Sequence, residues 1–245
     1  MTRRRVAPDT PLVHRIASIL LRYPDAATLA SLADVTAALP AIHDRADRER
    51  LAAVAGRLRG LPPTGAEQAY VVTFDHTRRR SLHLTYYRHG DTRARGMALL
   101  ALKHAYRQAG HRPPDGELPD FLPLILEFAA VAPEDGHRIL LEHRAGLELL
   151  RQALRTAATP PAAVPHAAGR PPPDQPPPDP SAADAYAAVL DVVCGRLPVP
   201  GARQRALLRR LAADGPPREE VGLEPFAPPA YLTTPAHHRS TEERR

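Results

Sequence analysis

Between Phe74 and Gly96 the chain reads FDHTRRRSLHLTYYRHGDTRARG, which brings histidines, arginines, two adjacent tyrosines and a Gly-Asp turn into one short run. Such a mixture suits four kinds of chemistry: metal ligation, nucleic-acid contact, acid–base catalysis and peptide docking. Metal ligation fits worst. His76, His83 and His89 are seven and six residues apart, matching neither the four-residue pairing of helical ligands nor a Cys/His knuckle. Cys194 is the single cysteine, so neither a cysteine-built cage nor an intrachain disulfide can form, and a reducing compartment is expected. Hydrolytic chemistry has no better footing: the chain carries no Gly-rich phosphate loop and no nucleophile elbow. Cys194 reads as a small buried hydrophobe.

Two carboxylates need partners. Glu127 lies in LPLILEFAAV, a run apolar on nearly every helical face, where an unpaired charge would be costly. The expected partner is one of the arginines of the Phe74–Gly96 run or of the helix that follows it, such as Arg93 or Arg95. Asp75 is expected to cap the turn that follows it, and Tyr70, Phe74 and Tyr87 read first as core.

These residues must be positioned by helices. Leu12, Val13, Ile16, Ile19 and Leu20 fall at three-four spacing behind a Thr10 cap and Pro11, and Tyr23-Pro24-Asp25 ends that helix. Further helices are expected over residues 28–39, 42–58 and 66–74. Another is expected from Asp91 or Thr92 to Ala109, with Gly110 as its stop. In ELPDFLPLILEFAAVAPEDG, Asp120 is the expected N-cap. That would put Pro123 at the third helical position, where no intrahelical N–H bond is lost. A helix apolar all round is a central one. One long helix is expected over residues 134–156. LHLTYY alternates too briefly to make a strand without a partner, so the fold class is all-α.

Proline marks the divisions. It accounts for 29 of the 245 residues and is concentrated late in the chain. Residues 10–157 are expected to form the helical core and residues 158–181 an extended, polyproline-type linker. Residues 182–214 read as two short C-terminal helices and residues 215–245 as a polar, Pro-rich tail. Packing of the C-terminal helices on the core is left open by the sequence. No continuous apolar run reaches the roughly 18–20 residues of a membrane span, and no small-residue cleavage site follows the basic start; the cytoplasm is the expected compartment. The formal charge is +6. With Lys103 the only lysine, the arginines raise an alternative reading as a helical nucleic-acid-binding protein. Acidic residues are interspersed among them, which disfavours it.

YVVTFD, LHLTYYRHGDTRARGMALL and ELPDFLPLILEFAA, in this order and spacing, resemble the signature blocks of the NarJ family of nitrate reductase molybdenum cofactor assembly chaperones, all-helical redox-enzyme maturation chaperones of the TorD and DmsD kind. The resemblance runs from about Pro11 to Thr156, and VGLEPFAPPAY is similar in character to the family's C-terminal end. It implies a non-catalytic chaperone that binds the N-terminal segment of the apo catalytic (alpha) subunit of nitrate reductase. Binding would delay membrane docking and permit insertion of molybdenum bis-guanine dinucleotide, a cofactor the chaperone would not itself hold stably. Molybdenum cofactor biosynthesis proteins are further implied partners; nucleic acid and direct membrane insertion are not. Carried onto this chain, the client-facing residues would be Tyr70, Phe74, Asp75, Tyr87, His89, Gly90, Asp91, Glu117, Pro119, Asp120 and Glu127. The family commonly has His after the ELPD aspartate, where this chain has Phe121.

Overall fold

The computed structural model describes residues 7–158 and 180–217. Asp9 precedes α1 (Thr10–Leu20) but does not cap it with its side chain. Its carboxylate instead accepts from the His43 N–H at 2.9 Å and from Arg196 at 2.7 Å. Asp25 caps α2 (Ala26–Ala38) by accepting from the Thr28 N–H at 2.7 Å, and Asp44 caps α3 (Arg45–Gly60) by accepting from Asp47 at 2.9 Å. Pro63 opens α4 (Pro63–Phe74), where its missing N–H costs nothing. A 3₁₀ turn over Arg78–Arg80 leads to α5 (Leu84–His89) and then α6 (Arg93–Gln108). The second half holds α7 (Leu122–Val131), α8 (Pro133–Glu142), α9 (Arg144–Ala158), α10 (Pro180–Gly195) and α11 (Ala202–Asp214). Among the described residues the fold is all-α; LHLTYY adds only one isolated antiparallel bridge, between His83 and Phe121.

Three local expectations change, the first being that Thr10 is the first residue of α1 rather than its cap. The helix expected over residues 134–156 is two helices divided at His143, whose Nδ1–H donates to the Ile139 carbonyl at 3.0 Å and closes α8. The N-cap of α7 is Phe121 rather than Asp120, and Pro123 falls within the first two helical positions. Asp120 is turned away from the helix because other donors claim it.

The core forms where α1 and α7 pack together and where α10 packs on α9 and α3. Leu122, Ile125, Leu126 and Ala129 of α7 are fully buried, as a helix apolar all round requires. From α10, Ala187, Val189, Leu190, Val192 and Val193 are equally buried and belong to the same core as α1–α9. Arginines secure this junction. Arg144 donates to the Cys194 carbonyl at 2.9 Å, and Arg196, at the end of α10, pairs with Asp9 and Asp47. Burial pushes the Cys194 thiol up to about 12, so it is an inert packing group.

Where α8 crosses α7, a side-chain carbon at Gly136 would collide with the Ala129 backbone. Gly136→Ala is expected to force these helices apart and cost about 1–3 kcal/mol despite its better helix propensity. Gly56 in α3 has open space around it, so Gly56→Ala should instead gain about 0.5–1 kcal/mol. Urea unfolding midpoints of the two variants, moving in opposite directions, check both.

Candidate functional site

Asp120 is fully buried where the α4–α5 connection meets the start of α7. The backbone makes a clasp here. Leu84 N–H donates to the Asp120 carbonyl at 3.0 Å, and Leu122 N–H donates to the Leu82 carbonyl at 2.8 Å. The Asp120 carboxylate sits 3.0 Å from His83 Nδ1 and accepts from the Thr85 N–H at 3.3 Å and from the Thr85 hydroxyl. Arg95 of α6 lies 3.6 Å away and also donates to Thr85 Oγ1 at 3.3 Å. Burial alone would raise the Asp120 pKa. The hydrogen bonds from His83 and Thr85, with the charges of His83 and Arg95, outweigh it and hold the carboxyl below its ordinary value. One buried carboxylate thus gathers residues from α5, α6 and the α7 approach.

Above this junction lies an open groove of about 390 Å³. Its floor is apolar and aromatic: Tyr70 and Phe74 of α4, Leu82, Tyr86 and Phe121. Tyr186 of α10 supports the floor from below, with ring centroids 6.0 Å from Tyr70 and 4.8 Å from Phe74. The Tyr70 hydroxyl donates to the Leu21 carbonyl at 3.2 Å, and burial pushes this phenol far above its ordinary pKa, so it stays neutral. The rim is charged with both signs. Asp91 pairs with Arg78 and, at 3.1 Å, with Arg95, while Asp75 presents an exposed carboxylate at the end of α4. Such a surface offers apolar anchoring along its length and polar register at its edges.

Tyr70, Phe74, Asp75 and Asp91 therefore come together at the groove, with Asp120 directly beneath it through His83 and Arg95. Asp75 does not cap the next turn; Thr77 does, by accepting from the Arg79 N–H. Tyr87 is core: its hydroxyl lies 3.0 and 2.9 Å from the Arg79 and Ser81 carbonyls and anchors the 3₁₀ turn. The Pro119 carbonyl accepts from Tyr106 at 3.1 Å, and Glu117 is exposed, bonding the Leu118 N–H. His89 and Gly90 do not line the groove; Gly90, with φ +58°, packs against the Pro217 backbone. Glu127 is also elsewhere, and its partners are Arg15 and Arg22 of α1 rather than Arg93 or Arg95. Its side chain is 31% exposed at the edge of the α1–α7 packing, so it is a surface ion pair and not a buried pin. Leu82, His83, Tyr86, Arg95 and Phe121 also line the groove and were not among the expected client-facing residues, nor was Tyr186 beneath it. The only available signal for His83 was its place in the His-rich run.

Among the described residues, no three His, Cys, Asp or Glu side chains come together as a metal set, and no helix is long and apolar enough to cross a membrane. Among the described residues the chain is an all-helical bundle carrying an open aromatic groove with a mixed-charge rim. The chain belongs to the nitrate reductase delta subunit family, whose pattern it matches over residues 31–160, a span that contains the whole groove lining. It is 41% identical over 152 residues to the nitrate reductase-like protein NarX of Mycobacterium tuberculosis (strain H37Rv), a match covering 62% of this chain and 23% of that protein. It is 38% identical over 134 residues to the probable nitrate reductase molybdenum cofactor assembly chaperone NarJ of Bacillus subtilis (strain 168), covering 55% of this chain and 73% of the relative. With the NarJ chaperone of Escherichia coli (strain K12) the identity is 36% over 121 residues, 49% of this chain and 51% of the relative. The chain thus spans under a quarter of NarX and about half of the Escherichia coli NarJ.

Proposed function

We propose that this chain is a nitrate reductase assembly chaperone, acting in the cytoplasm without catalysis of its own. It binds the N-terminal segment of the apo catalytic (alpha) subunit, delays membrane docking and permits insertion of molybdenum bis-guanine dinucleotide, alongside molybdenum cofactor biosynthesis proteins. The observation that carries this reading is the groove over Asp120, which lies within the family-matched residues. Its aromatic floor can take the apolar face of a client segment, and Asp75 and Arg78 can meet client charges of either sign. The nucleic-acid alternative is less well supported, because the groove rim carries Asp75 and Asp91 beside its arginines, so a phosphate backbone would meet like charge there.

Calorimetric titration with a synthetic peptide from the extreme N-terminus of the catalytic subunit tests the reading. One-to-one binding is expected to weaken about tenfold in a Tyr86→Ala, Asp75→Ala protein, close to 1.4 kcal/mol. It should change little with salt, whereas phosphate-driven binding would fall steeply. Binding that ignores the double substitution, or no binding at all, would overturn it.

A further inference from the structure

The geometry points to a built-in occupant for this groove: the chain's own C-terminal segment, residues 219–231, docks there when no client is present. The inference rests on reading the groove as a peptide-docking site, and it begins at Gly90. Gly90 has φ +58°, and a side-chain carbon there would collide with the Pro217 carbonyl oxygen. The chain leaving α11 therefore runs against the α5–α6 turn. The next residue along that turn, Asp91, lies on the groove rim. The described residues end at Pro217, so residues 218–231 start out from the turn that carries the rim residue Asp91.

That segment has the chemistry the groove asks for. It reads REEVGLEPFAPPAY, with apolar anchors Leu223, Phe226 and Tyr231 set among Glu219, Glu220 and Glu224. Pro225 and Pro228 stand in the P-x-x-P spacing that docks polyproline-type segments on aromatic grooves. Tyr86 and Phe121 supply such aromatic surface, and Arg78 on the rim, next in the chain to the exposed Arg79, supplies charge opposite to the glutamates. Reach is ample: eight residues from Pro217 to Pro225 extend to about 26–29 Å. Tethering also favours the contact, because a short linker holds its segment at an effective concentration of about 1 mM. Even a segment with an intrinsic Kd of about 0.1 mM would then fill the groove most of the time and raise the apparent Kd of any competitor about tenfold. Client peptide and tail would thus exclude one another.

The test uses the full chain and no client peptide, so its outcome is independent of the client titration. A fluorescein-labelled peptide of residues 218–232 is titrated by anisotropy against the wild-type chain and against a Phe226→Asp, Tyr231→Asp chain. The disabled tail should free the groove, and the labelled peptide should bind that variant about tenfold more tightly than wild type. Adding Tyr86→Ala and Arg78→Glu to the disabled chain should return binding to the wild-type level or below. Equal binding to the wild-type and tail-disabled chains, or none to either, would overturn the proposal. So would tight binding that survives the groove substitutions, which would place the segment on another face, such as the cleft lined by Arg88, Leu141 and Leu207.

Discussion

Replacing His14 with leucine is expected to flatten the acid side of the stability profile by about 3 kcal/mol. His14 is 2% exposed between α1 and α7, and no hydrogen bond of normal geometry reaches either ring nitrogen. Burial lowers its pKa from 6.5 to about 4, only partly offset by the Ala129 backbone, with the positive charges of His137 and Arg196 adding to the effect. The folded protein therefore keeps His14 neutral over a range where the unfolded chain binds a proton. Stability is unaffected above about pH 6.5 and falls as the pH drops toward 4, because the unfolded state binds more protons there. A separation of about 2.5 between folded and unfolded values corresponds to roughly 3 kcal/mol. His14→Leu removes the titration and also removes two unpartnered buried nitrogens, so neutral-pH stability should hold or rise. Urea unfolding of both proteins at steps from pH 7.5 to about 4 checks this. Parallel profiles would show that His14 does not carry the acid loss.

Asp120→Ala is expected to be the most damaging single change at the site, costing about 3 kcal/mol at pH 7. A charged hydrogen bond is worth about 1.5–3 kcal/mol, and removing a buried partner leaves its donors stranded. The loss stops near that figure because Arg95 keeps Asp91 at 3.1 Å. Asp120→Asn keeps the shape and loses the charge, so an intermediate value is expected. The pH dependence separates this group from His14. The Asp120 pKa is lowered in the folded state, so its contribution is complete above about pH 4 and fades only as the pH falls through the folded value. Acid unfolding of wild type should show the His14 window first and the Asp120 window below it. Asp120→Ala should lose only the second. The backbone clasp through Leu84 and Leu122 does not depend on the Asp120 side chain, so the groove should keep its outline in both variants.

What was legible in the sequence followed from local pattern. The all-α class and the central place of α7 rest on spacing and on apolar residues on every face. The NarJ-type resemblance rested on contiguous blocks, and the family match confirms it. Within the candidate site, Tyr70, Phe74, Asp75 and Asp91 were legible because those blocks hold them.

Long-range pairing decided the rest. Glu127 finds Arg15 and Arg22 across 112 and 105 residues, and nothing within α7 identifies which arginines α1 brings alongside. Asp120 looks like a helix cap because it stands just before LPLIL. In three dimensions His83 and Thr85, 37 and 35 residues away, offer the buried carboxylate stronger donors than the free amides of a helix start. α10 lies beyond the proline-rich stretch, yet its apolar residues complete the core and Tyr186 supports the groove floor. Local pattern determined which segments are helices and which faces must be buried. Which helix covers each face, and which charge meets each carboxylate, was decided only by tertiary packing, because burial energy is non-directional and many apolar faces are interchangeable until the whole bundle closes.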